Sequence, residues 1–286
     1  MKKMTALFAT LLCGVACIQL QAQGLFWKIS GNGLENPSYV YGTMHTSDER
    51  VFDFQDGVIE ALESVDHVAL ELNMDSINQM KVAQMLVMDD GSTLKSLLDE
   101  EEYKIVEDFF RDSLQMPLEM MQSMQPMYLT SIISQRNLQE QVDGTALDMW
   151  FAVKAKEKEI GVIGLEKMEE QVGAFRSIPY EKQAEMLVES ITDLDGGDDK
   201  MDELLDAYIK GDLQKLLELT TESDDIPEGF EEVFLTKRNI NMADRADKYL
   251  QDGKSLFIAV GAAHLPGEQG VLELFRKKGY AVEAYK

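Results

Sequence analysis

The stretch Leu256-Phe257-Ile258-Ala259-Val260-Gly261-Ala262-Ala263-His264 sets the architecture, because an earlier stretch repeats its form: Tyr39-Val40-Tyr41-Gly42-Thr43-Met44-His45. In each, a short apolar run rich in β-branched or aromatic residues ends in a G-x-x-H tetrapeptide. Such runs read as buried strands. A glycine at the end of a strand permits a sharp turn or the close approach of another backbone. The histidine three residues on then stands just beyond the strand's carboxyl end, the edge at which open α/β sheets bind ligands. The chain holds three histidines, and two of them occupy this position.

Working outward, residues 53–64 have helical apolar spacing and 68–72 read as a second strand, so the first motif opens a β-α-β unit. The second motif is followed by a helical segment at 270–278, with Pro266 near its first turn, and by a strand at 280–285. A strand at 25–29, placed at the sheet edge, and a turn at Gly31-Asn32-Gly33 precede the first unit. Between the units, 74–87, 93–114, 117–139, 146–159, 180–191, 201–219 and 230–250 carry apolar residues at helical spacing, and 160–165 reads as a third parallel strand. The expected fold is therefore α/β: a mostly parallel sheet built from two β-α-β halves, with a large helical insertion or cap at about 74–250. No Ser/Gly/Pro-rich linker divides 23–286, which reads as a single domain.

Residues 1–22 have the order of a secretory signal peptide: Lys2-Lys3, an apolar stretch from about Ala6 to Leu20, then Gln21-Ala22. The apolar stretch falls short of the roughly 20 residues that span a bilayer, and Gly14 breaks a lipid-attachment pattern at Cys17. Both cysteines, Cys13 and Cys17, lie in this leader, so the expected mature chain from Gln23 has neither disulfides nor thiolate ligands. Export, with a periplasmic location, is expected. The formal charge of −25 disfavours nucleic acid and anionic membrane surfaces as partners. Much of the acid, at 99–102, 195–203 and 222–232, reads as solvated helix starts and faces. The segment Asp193-Leu194-Asp195-Gly196-Gly197-Asp198 lacks the glycine and glutamate spacing of a calcium loop and reads as an acidic turn before a helix. Met116, Met120, Met121, Met124 and Met127 read as helix core, the alternative being an adaptable apolar groove.

Four polar residues join the two histidines. Glu71 interrupts the apolar strand 68–72, where a carboxylate needs a partner or an opening to solvent. Glu166 follows the run ending at Leu165. Arg238 and Asn239 lie on the helix leading to the second motif. In a parallel sheet His45, Glu71, Glu166 and His264 project from one edge. Two imidazoles and a carboxylate, His45, His264 and Glu71, then form a candidate site for a divalent metal such as Mn, Co, Zn or Fe, which activates water for amide or ester hydrolysis. Glu71, Glu166, Arg238 and Asn239 are the catalytic candidates, a carboxylate moving protons and Arg238 stabilising an oxyanion. His67 lacks the glycine context and reads as structural.

With these residues assembled, the chain resembles the TraB/GumN family, which includes the Tiki-type proteases and is related to erythromycin esterase and ChaN-like proteins. The likeness is carried by Tyr41-Gly42-Thr43-Met44-His45, Glu71, Leu147-Asp148, Gly164-Leu165-Glu166, Arg238-Asn239 and Gly261-Ala262-Ala263-His264. It implies an α/β core with helical insertions and, for the Tiki-like branch, metal-dependent proteolysis of a peptide substrate. Two other uses of the same cleft stay open: metal-independent esterase-like hydrolysis, and binding of haem or another hydrophobic ligand.

Overall fold

The structure, a computed structural model, describes residues 24–141, 145–192, 194–221 and 229–285. Residues 1–22, read above as a leader, both cysteines and Asp193 lie outside them. Six strands form one sheet: β1 (Phe26–Ser30), β2 (Ser38–Thr43), β3 (His67–Leu70), β4 (Gly161–Gly164), β5 (Leu256–Gly261) and β6 (Ala281–Ala284). Their order is β4-β3-β5-β2-β1-β6. β4, β3, β5 and β2 pair in parallel, while β1 runs antiparallel to both β2 and β6.

Every residue of β2 and all but the last of β5 are buried, which is why their sequences are continuous apolar runs rather than alternating ones. Each β-α-β unit is present, but the strands interleave. β5 inserts between β2 and β3, so the strands joined by the first crossover are parallel without being neighbours. The sheet thus does not divide into two separate halves. The strand at 25–29 is likewise not an edge: β6 returns from the far end of the chain to cover it, a pairing that local sequence does not encode.

Twelve α-helices lie in the described residues: α1 (Val58–Glu63), α2 (Gln79–Met85), α3 (Leu94–Leu97), α4 (Glu100–Asp112), α5 (Pro126–Gln141), α6 (Leu147–Glu157), α7 (Met168–Phe175), α8 (Tyr180–Thr192), α9 (Leu194–Ile209), α10 (Leu213–Thr221), α11 (Lys237–Gln251) and α12 (Val271–Lys277). The helix expected over 93–114 breaks where Asp99 caps α4, accepting from the backbone N–H groups of Glu101 and Glu102. The one expected over 201–219 breaks at Gly211, whose φ is +64°. α9 begins at Leu194, so 194–198 is helix rather than turn. α7 falls in a stretch with no expected helix.

The main core lies on the sheet. Phe26, Tyr39, Tyr41 and Phe257 form an aromatic layer there, which Phe151 of α6 joins with its ring 5.1 Å from Phe257 and 5.3 Å from Tyr41. A second core, built on Leu94, Val106, Phe110, Leu129, Ile133 and Leu187, belongs to the helical insertion. Met121 is buried in it, Met116 and Met124 pack against it, and Met127 joins a third cluster with Phe234. Four of the five methionines therefore pack in the cores of the insertion, Met121 and Met127 buried and Met116 and Met124 partly so; Met120 is exposed.

Gly42 illustrates close approach rather than turning. A Cβ there would stand 3.1 Å from both Cα and Cβ of Ala262 and 3.2 Å from Leu265 Cδ2, with no positive φ required. The end of β2 is thus pressed against the second G-x-x-H turn, and Tyr208 of α9 donates to the Gly42 carbonyl at 2.8 Å. Gly42→Ala is expected to destabilise the fold by about 1–3 kcal/mol through overpacking. An unchanged denaturation midpoint would contradict this account.

Candidate functional site

The four parallel strands bring their carboxyl ends to one edge. Thr43 pairs with Gly261, and Leu70 with both Ala259 and Gly164, so the residues that follow these strands are neighbours. At this edge Glu71, Glu166, Arg238, Asn239 and His264 form one connected group, with Glu166, Asn239 and His264 buried and Glu71 and Arg238 partly so.

Arg238 is its hub. Its Nη2 donates to Glu71 Oε2 at 2.8 Å and to Glu166 Oε2 at 2.6 Å, its Nε to Glu166 Oε1 at 2.9 Å, and its Nη1 to the Phe234 carbonyl at 3.2 Å. That carbonyl belongs to a π turn, Glu232–Thr236, which leads into α11, an irregularity frequent at functional sites. With Nε and Nη2 spent on two carboxylates and one Nη1 hydrogen on a carbonyl, Arg238 holds Glu71 and Glu166 in place. The Glu166 side chain is 1 % exposed, with both its oxygens taken by Arg238.

Glu71 faces two ways. Its Oε2 takes Arg238, and its Oε1 accepts the Gly261 N–H at 2.8 Å and lies 3.8 Å from His264 Nε2. The fit at Gly261 is close: an added Cβ would sit 3.3 Å from Glu71 Oε1 and 3.4 Å from His264 Cδ2. On the other side of the imidazole, Nδ1 meets Asn239 Oδ1 at 2.6 Å.

The electrostatics follow from this packing. Burial pushes His264 down to about 4, against the opposing pull of Glu71. Burial alone would raise Glu71, but His264, Arg238, His45 and the Gly261 N–H outweigh it and hold the carboxyl at about 2. Since His264 is uncharged at neutral pH, the cation that keeps Glu71 ionised there is Arg238. Both groups therefore stand deprotonated at neutral pH, presenting a lone pair and an anion to one another.

His45 is placed differently. Its side chain is 61 % exposed, with Nε2 3.9 Å from Asp148 Oδ2. It lines a small pocket with Thr43, Leu70, Glu71, Leu72, Met74, Asp148, Met149, Gln171 and Ala259. Thr43 Oγ1 and Asp148 Oδ1 are buried without a hydrogen-bond partner among the described residues. The donor chemistry fits a divalent ion at two positions, His264 Nε2 and Glu71 Oε1, whose 3.8 Å separation is close to that of two ligands each about 2.0–2.2 Å from one ion. Among the described residues no group of three His, Cys, Asp or Glu side chains is arranged to hold a metal ion.

Two site residues were not singled out from the sequence. Gln171 donates to Glu166 at 3.0 Å and to Glu71 at 3.5 Å; it lies on the unexpected α7. Asp148, beside His45, carried a signal only through the family likeness. His67 begins β3, at the opposite end of that strand from Glu71, with its ring against Gly161 and Tyr249.

The chain belongs to the TraB/PrgY/gumN family, whose model matches residues 25–284. Among curated relatives it is similar to "Metalloprotease TIKI2" of Danio rerio, 22 % identical over 336 residues, covering 95 % of this chain and 62 % of that protein. The chain thus spans less than two thirds of the relative's length. No solved structure matches the chain. Among the described residues no helix is long and apolar enough to cross a membrane.

Proposed function

We propose that this chain is a hydrolase of amide bonds in peptides, dependent on a divalent metal held by His264 and Glu71, with His45 turning inward from the pocket rim as third ligand. On the reading of residues 1–22 as a leader, it works after export, in the periplasm. The observation that carries the proposal is the facing pair itself: an imidazole Nε2 and a carboxylate oxygen 3.8 Å apart at the carboxyl edge of a parallel sheet. Two electron-pair donors so placed repel one another and are stabilised by a cation between them. When bound, a divalent ion supplies a water acidified toward neutral pH and polarises the scissile carbonyl.

The protein's own residues have divided tasks. Arg238 fixes one oxygen of Glu71 and leaves the other toward His264. Glu166 and Gln171 hold Arg238 and Glu71 in register. The polar wall of Thr43 and Asp148, beside His45, faces the approaching substrate. A metal-free acid and base pair is less well served by this site, since a general base works best with a pKa near the operating pH, whereas both groups here lie well below it. Groups that are deprotonated at neutral pH bind metal with little competition from protons.

The test is a peptide-cleavage screen of wild type and His264→Ala, before and after chelation and with Mn, Co, Zn or Fe restored. Cleavage is expected to vanish on chelation, return with one of these ions, and be absent from His264→Ala. Cleavage that survives both treatments would overturn the metal mechanism. Failure of the metal-loaded wild type on every peptide would overturn the peptidase.

A further inference from the structure

Asn239 and Arg238 are consecutive on α11, yet they address different members of the facing pair: Arg238 binds Glu71, and Asn239 binds His264. The orientation of the Asn239 amide is settled by its other end. Its Nδ2 donates at 2.9 Å to the carbonyl of Gln269, a group that only accepts. Turning the amide over would set carbonyl against carbonyl in a buried site, where an unmade hydrogen bond costs about 1–3 kcal/mol. The Oδ1 therefore faces the imidazole, and the His264 nitrogen 2.6 Å away must carry a hydrogen.

We infer that Asn239 is a positioning residue that fixes His264 as its Nδ1–H tautomer, so that the Nε2 lone pair is presented to Glu71 Oε1. The 3.8 Å separation from Glu71 is longer than a hydrogen bond, as expected for two acceptors. A neutral imidazole in free solution chooses between two tautomers; here the choice is made by a side chain whose own geometry is fixed by the main chain of the loop at Gln269. Histidines that ligate metals are held through their second nitrogen in this manner. The structural claim stands on the hydrogen bonds alone, while its consequence for metal binding rests on the hydrolase reading above.

Long-range ¹H–¹⁵N correlation on chelated, ¹⁵N-labelled full chain reads the tautomer directly, with His264→Gln assigning the resonance. In the wild type at neutral pH, His264 is expected to show a protonated Nδ1 and a bare Nε2. Asn239→Asp, which keeps an acceptor oxygen, is expected to preserve the protonated Nδ1. Asn239→Leu, similar in size but without the acceptor, is expected to mix or reverse the tautomers and to weaken Mn or Zn binding about 10–100-fold. A protonated Nε2 with bare Nδ1 in the wild type, or an unaltered tautomer in folded Asn239→Leu, would overturn the inference. Should Asn239→Leu not fold, the wild-type and Asn239→Asp spectra decide. A correct tautomer in a protein that cleaves nothing and binds no ion leaves the positioning role intact and removes the hydrolase reading instead.

Discussion

Arg238→Met is expected to lower the stability of the fold by about 3–5 kcal/mol, the cost of leaving a buried charge without its partner. The reason lies in how little solvent reaches the three groups: the Arg238 side chain is 16 % exposed, Glu71 11 % and Glu166 1 %. Methionine fills similar space but leaves two carboxylates facing the site, with only Gln171 donating to both. A native domain is stable by roughly 5–15 kcal/mol, so the variant should be marginal. The double variant Arg238→Met/Glu166→Gln removes one of the stranded charges and should recover part of the loss, giving a clear coupling energy in a double-mutant cycle. Chemical denaturation of the four proteins measures it. A loss below about 1 kcal/mol for Arg238→Met, the range of a solvent-screened ion pair, would show that water reaches the cluster and that the burial argument fails.

How far the sequence discloses this arrangement depends on the range of the interaction. The β5 run and its G-x-x-H turn are local, and they were readable because a strand buried on both faces has to be apolar throughout. Capping is legible only in part: Asp99-Glu100-Glu101-Glu102 reads as a solvated helix start or face, but the helix expected over 93–114 runs through it, whereas α4 begins there. What the sequence concealed was pairing across distance. β5 inserts between β2 and β3, although nothing in those strands distinguishes a crossover to an adjacent strand from one that skips a place. Glu71 and Glu166 were visible as carboxylates in apolar surroundings, but that one arginine grips both follows from a π turn and helix placement that periodicity does not reveal. The two histidines had matching sequence contexts and received different environments: His264 is boxed in by Asn239, Glu71 and Gly261, whereas His45 stands at an open rim beside Asp148. Equivalence of motif did not carry equivalence of burial, because α11 packs on β5 and brings Asn239 to His264 alone.

Glu71→Gln and Glu166→Gln separate the residue that acts from the residue that holds, since both changes keep the side-chain shape and remove one negative charge. Glu71 has an oxygen beside His264 Nε2, so its loss should lower peptide cleavage by more than about 100-fold, beyond the 10–100-fold typical of residues that only support a metal ligand. The amide that replaces it also offers an N–H where the site needs an electron pair. In the chelated wild type, adding Mn or Zn should raise the melting temperature, because a ligand that binds only the native state stabilises by about 2.7 kcal/mol at 100 times its Kd. Glu71→Gln should lose that rise. Glu166→Gln should keep it, with cleavage reduced by no more than about 100-fold and with a stability loss of about 1–3 kcal/mol from the weakened grip on Arg238. If instead the two variants lose cleavage and metal-induced stabilisation equally, Glu166 is no mere support, and the assignment of Glu71 rather than Glu166 as the carboxylate that holds the metal has to be abandoned.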